Sequence, residues 1–94
     1  MIIVSGHVHV APDRRDAFID SSHDAMVQAR GAPGCRDFVV AADPLDPGRV
    51  NVYEESDSSE ELEAFRGAGP EPELAIVIVE ADVRRHEIAS SGPA

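Results

Sequence analysis

The chain reads as an α+β domain with the element order β-α-β-β-α-β. Three stretches carry that reading. Ile2 to Val10 alternates along its length, Val50-Asn51-Val52-Tyr53-Glu54-Glu55 alternates again, and a helix-start signature follows the second run at once. One tight hairpin and right-handed crossovers then favour a four-stranded antiparallel sheet in the order 4-1-3-2, with both helices on one face. This is the ferredoxin-like arrangement.

In the first strand, Val4, Gly6, Val8 and Val10 share one side, and Ile3, Ser5, His7 and His9 the other. Ala11-Pro12-Asp13 stops it. Pro12 suits a first helical turn, and Asp13 and Asp16 suit its positive end. From Asp13 to Arg30, an apolar stripe recurs at three-and-four spacing through Phe18, Ile19, Ser22, Ala25, Met26 and Ala29. Gly31 is the expected C-cap. Pro33-Gly34 turns the chain into the second strand, Cys35 to Ala42. The loop Asp43 to Gly48 ends in Asp46-Pro47-Gly48-Arg49, which has the residues of a type II turn. The third strand runs from Arg49 to about Ser56.

Two overlapping capping boxes, Asp57 with Glu60 and Ser58 with Glu61, open the second helix. It covers about 59–66 and turns Leu62 and Phe65 onto the sheet. Gly67-Ala68-Gly69-Pro70 breaks it. The following segment carries β-branched residues behind an acidic start, and a short helical piece at about 71–79 with a fourth strand at about 82–89 is expected. One domain over residues 1–89 and a loose tail over 90–94 complete the organisation.

Composition narrows the partners. Eighteen acids against eight bases give a formal charge of −10. That field repels phosphate backbones and anionic lipid, so neither nucleic acid nor a membrane surface is an expected partner. Cys35 is the single cysteine, so no disulfide forms within the chain and a reducing, cytoplasmic setting is expected. No secretory signal or membrane span is read. Aromatic residues make up only 4%, so the core is built from small aliphatic side chains and benefits from association. Two helices also cover only one face of the sheet. Ile3, Val39 and Tyr53 on the other face call for a second copy, normally a two-fold dimer. His7, His9, Asn51 and Tyr53 are assigned to that dimer face.

Candidate chemistry sits on the helix side. Glu54 shares the side of Val50 and Val52, where a carboxylate is either partnered or a proton acceptor. His23, beside the small Ser22, is a second possible acceptor or simply an exposed helix residue. Phe18, Ser22, Met26, Phe38 and Phe65 are the expected walls of any pocket there and are otherwise core. His7, His9 and His86 suggest a three-imidazole metal site, but no carboxylate or cysteine completes a set at ligand spacing. No metal is therefore expected. Cys35, next to Gly34, reads as a small buried residue rather than a nucleophile.

Together these features resemble the antibiotic biosynthesis monooxygenase (ABM) family of dimeric α+β barrels. The likeness is carried by Gly6, by Pro12-x-x-Arg15-Asp16-x-Phe18, and by Ala29-Arg30 followed by Pro33-Gly34-Cys35. Asp37-Phe38, Asp43-x-x-Asp46-Pro47 and Val52-Tyr53-Glu54, with Glu61-Leu62 after a serine-rich cap, extend it over about 2–89. The resemblance implies oxygen-dependent chemistry on small aromatic or quinol-like substrates, without flavin or other cofactor, in a site between sheet and helices. Haem-degrading relatives use an Asn on the first strand, a Trp on the second helix and a nearby His. The matching positions here are Gly6, Phe65 and no histidine near Ala75, which argues against haem degradation. Relatives often carry a Trp two residues after the Tyr-Glu pair, where this chain has Ser56.

Overall fold

A computed structural model describes residues 1–66 and 78–94. Its elements are β1 (Ile2–Val10), a 3-10 turn (Pro12–Arg14), α1 (Arg15–Ser21), α2 (His23–Arg30), β2 (Cys35–Ala42), β3 (Arg49–Ser56), α3 (Ser59–Arg66) and β4 (Ile78–Glu87). The four strands form one antiparallel sheet in the order β2-β3-β1-β4, the expected order read from its other edge.

The alternation of β1 and β3 decides which face is covered. Ile2, Val4, Val8 and Val10 are buried, and so are Val50, Glu54 and Ser56 across the ladder. Two apolar clusters result. Val8, Val10 and Val50 close around Phe18 of α1, whereas Ile2 and Val4 close around Leu62 of α3. The helices thus press on the two ends of one sheet face and leave its middle less filled.

The first helix is one stripe in the sequence but two helices in the fold. Ser21 Oγ donates to Ala17 O at 2.8 Å and Ser22 Oγ to Phe18 O at 3.0 Å. Such back-bonding competes with the helical ladder and bends it, so the axis breaks at Ser22. After α2, Gly34 has φ +78 in the turn closed by Cys35 N–H to Ala32 O, with Pro33 ahead of it. That combination makes the turn type II. The other turn departs from expectation. Gly48 has no positive φ, and the Asp46–Arg49 turn is instead held by Asp46 Oδ1 accepting from Gly48 N–H. At α3, Ser58 Oγ accepts from Glu61 N–H, so Ser58 supplies the N-cap half of the second capping box.

The fourth strand corrects the expected boundary. It starts at Ile78 and ends at Glu87, because β1 needs ladder partners along its whole length and the β-branched Ile78-Val79 pair suits a pleat. Val79 is the extra residue of a bulge. His9 pairs with Glu80 and Val10 with Ile78, so Val79 is passed over and lies exposed. The expected helical piece at 71–79 therefore fails at 78–79, and the rest of it lies outside the described residues.

Candidate functional site

Register builds a cavity in the middle of the covered face. One row across the sheet is Phe38, Glu54 and Val4; the next is Val40, Val52, Gly6 and Val83. Gly6 contributes no side chain, so the second row has a gap between Val4 and Val8. Above that gap lies a cavity of about 170 Å³ bordered by Val4, Phe38, Val40, Val52, Glu54 and Val83. Val39 and Tyr53 border it from positions that alternate to the other face.

The glycine is demanded by the backbone. Gly6 has φ +151, and a Cβ there would stand 2.0 Å from Asp82 O and 2.8 Å from Val83 Cα. No side chain fits, so the strand-one Asn of haem-degrading relatives has no room here.

Glu54 is the one ionisable side chain among the bordering residues that lies on the covered face, and it is only 7% exposed. Its charge also reaches Cys35. Burial, and then Glu54, push the Cys35 thiol up from its ordinary value, and its Sγ lies 3.5 Å from Asp37 O. Cys35 is thus held as a thiol, a poor nucleophile.

The expected wall residues divide. Phe38 borders the cavity, and Phe65 meets it edge to face with centroids 6.2 Å apart. Phe18 belongs to the Val8–Val10–Val50 cluster, and Ser22 is buried but spends its hydroxyl on Phe18 O. Met26 lies at the sheet edge, where its Sδ accepts from Val40 N–H at 3.4 Å, while Arg30 Nε donates to Phe38 O at 2.9 Å. These two α2 side chains occupy two of the outer hydrogen-bonding groups of β2, which an edge strand otherwise offers to other chains. Of the two readings of His23, the structure favours the exposed helix residue. Its side chain is 72% exposed beside Asp24 and is not among the cavity's bordering residues. The valine walls were missed, although alternation from Glu54 points to Val52 and the ladder to Val4.

The helix-free face carries Ile3, Ser5, His7 and His9 of β1 and Asn51, Tyr53 and Glu55 of β3, all half-buried. The Tyr53 hydroxyl donates to Glu55 Oε2 at 3.0 Å; burial and that bond push its pKa upward. The His7 and His9 rings meet edge to face at 5.2 Å. His86 pairs with Ile3 and so stands apart from them along β4, which removes the three-imidazole set. The expectation that no carboxylate joins the two histidines is also corrected. The early start of β4 brings Glu80 opposite His9.

The fold is shared with known structures. Rv0793 from Mycobacterium tuberculosis superposes with a TM-score of 0.80 at 18% identity, covering 98% of each chain. A structure described as an antibiotic biosynthesis monooxygenase gives 0.79 at 18%, over 96% of this chain and all of that one. A conserved protein from Methanosarcina mazei Go1 gives 0.78 at 17%, over 90% and 89%. No curated protein sequence matches significantly. The family model for antibiotic biosynthesis monooxygenase matches residues 1–70. With three-quarters of its length matched and the sheet order, paired helices and central cavity in place, the chain belongs to the antibiotic biosynthesis monooxygenase (ABM) family.

Proposed function

We propose that the chain is a cofactor-independent monooxygenase that oxidises a small quinol in the cavity on the central rows of the sheet. The observation that carries this reading is the buried carboxylate of Glu54 in an otherwise aliphatic and aromatic chamber. Such a chamber favours a planar apolar ring, and a single carboxylate orients its hydroxyl.

Size narrows the substrate. A cavity of about 150 Å³ takes one benzene-sized ring, so about 170 Å³ suits a single-ring hydroquinone better than a fused polycycle. In the proposed reaction Glu54 accepts a phenolic proton as the ring becomes electron-rich. The ring then reduces dioxygen. One oxygen atom forms a new C–O bond on the ring, and the other leaves as water with two hydrogens. Hydroquinone and dioxygen thus give hydroxybenzoquinone and water, with atoms and electrons balanced.

The active form is proposed to be a homodimer in the cytoplasm. A second copy laid on the helix-free face would cover Ile3, Val39 and Tyr53 and bury at least about 1,200–2,000 Å² in total. The lone cysteine fits a reducing setting, and no helix among the described residues is long and apolar enough to cross a membrane.

Oxygen uptake with single-ring hydroquinones and larger anthrones tests the proposal. Hydroquinones should be consumed and Glu54→Gln should lower the rate about 10²–10⁴-fold. No uptake across the panel, or an unaffected Glu54→Gln, would refute it. A second reading, a non-catalytic binder of small aromatics, is favoured by how apolar the chamber is beyond Glu54. Binding without oxygen uptake distinguishes it.

A further inference from the structure

Independently of the cavity and its reaction, we propose that His7, His9 and Glu80 form a binding site for a divalent transition-metal ion of the zinc type on the helix-free face. One nitrogen from each imidazole and one Glu80 carboxylate oxygen all lie within 4.8 Å of one another. Ligands around one tetrahedral zinc ion stand about 3.4 Å apart, given bonds of about 2.0–2.1 Å. The three groups must therefore draw together by up to about 1.4 Å when an ion binds.

The strands bring these groups together for identifiable reasons. His7 and His9 are two residues apart on one strand, so both project from the same face. Glu80 is the direct cross-strand partner of His9. The Val79 bulge lies immediately beyond this pair, and bulges commonly re-aim a neighbouring side chain.

His9 has the hydrogen bonding of a ligand histidine. Its Nε2–H donates to Asp46 Oδ2 at 3.0 Å, which leaves the lone pair on Nδ1. That Nδ1 is buried and has no hydrogen-bond partner among the described residues. An imidazole oriented by a carboxylate on one nitrogen and open on the other is the usual outer arrangement of a metal-bound histidine. A buried, unpaired ring nitrogen otherwise costs stability, and an ion would satisfy it.

Neighbouring charges permit a cation. Arg49, opposite His9 on β3, is held by Asn51 Oδ1 at 2.7 Å and lies 3.6 Å from Asp43. Arg84 on the same face donates to Asp82 Oδ1 at 3.1 Å, and Asp82 itself stands opposite His7. Two imidazoles and a carboxylate select borderline ions such as zinc, nickel or cobalt over calcium or magnesium, which prefer all-oxygen sets.

Calorimetric titration of the untagged, full-length protein with zinc, with calcium and magnesium as controls, tests the site. The expected result is about one zinc per chain and no calcium or magnesium uptake. Glu80→Gln and Asp46→Asn should each weaken zinc binding about 10–100-fold, the loss typical when an outer-shell partner goes and a lower bound for a ligand. The double variant His7→Ala/His9→Ala should abolish binding, while His23→Ala and His86→Ala leave it unchanged. Cobalt substitution should give a visible absorption band in the wild type that the double variant lacks. Absence of zinc uptake by the folded wild type overturns the proposal. So does uptake that survives the double variant, or uptake lost in His86→Ala.

Discussion

Gly6→Ala puts the geometry of the central cavity to a quantitative test. The added methyl would stand 2.0 Å from Asp82 O and 2.8 Å from Val83 Cα, both backbone atoms that cannot rotate away. Two costs add. Holding an alanine at φ +151 costs about 1–3 kcal/mol. Relieving the overlap by parting β1 from β4 costs about 1–3 kcal/mol more, the usual range for overpacking. The sum, roughly 2–6 kcal/mol, is a large share of the 5–15 kcal/mol typical of a domain. At about 4–8 °C per kcal/mol for a chain of this size, the midpoint should fall by at least about 8 °C. Thermal unfolding followed by circular dichroism measures it, at one protein concentration because association would move the midpoint. Gly92→Ala is the control, since nothing lies within 4 Å of a Cβ there. A fall of under 2 °C in Gly6→Ala would show that β4 does not pass where it is described.

Three further outcomes follow from the same contacts. Leu62→Ala should cost about 2–5 kcal/mol in urea unfolding, because Leu62 is 1% exposed and completes the cluster with Ile2 and Val4. Asp43 is held down to about 2 by the Asn51 amide, then by the N–H groups of Asp46 and Leu45. Its folded pKa thus lies below its ordinary 3.8. The stability it contributes is full above about pH 4 and is lost as pH falls toward 2. Asp43→Asn should therefore flatten the dependence of the urea midpoint on pH between 4 and 2. Light scattering should return about twice the 10.0 kDa of one chain, and a clean monomer at micromolar concentration would remove the proposed dimer.

Much of the fold is legible because period-two alternation is a local property. Val50, Val52 and Glu54 declare one face before any partner strand is known, and Ser58 with Glu61 declares a helix start. The break at Ser22 was less visible. A serine inside an apolar stripe can cap, bend or merely be tolerated, and only the hydrogen bond to Phe18 O decides. The β4 boundary was misplaced because a bulge at Val79 shifts the register by one residue, and only pairing with β1 reveals it. That error hid Glu80 from the two histidines, while Asp46 reaches His9 across 37 residues of sequence. The burial of Glu54 is legible because its parity alone places it indoors, whereas adjacency to Ser22 says nothing about which way His23 points, so an acceptor and an exposed surface residue read alike there.

Methyl-resolved NMR during titration with a single-ring phenol examines the central cavity most directly. Shifts concentrated at Val4, Val40, Val52 and Val83, with the Val10 and Val50 methyls undisturbed, are the predicted result. Shifts confined to the helix-free face around Ile3 and Ala41, or none at saturating phenol, would contradict the assignment of the chamber around Glu54 as the binding site.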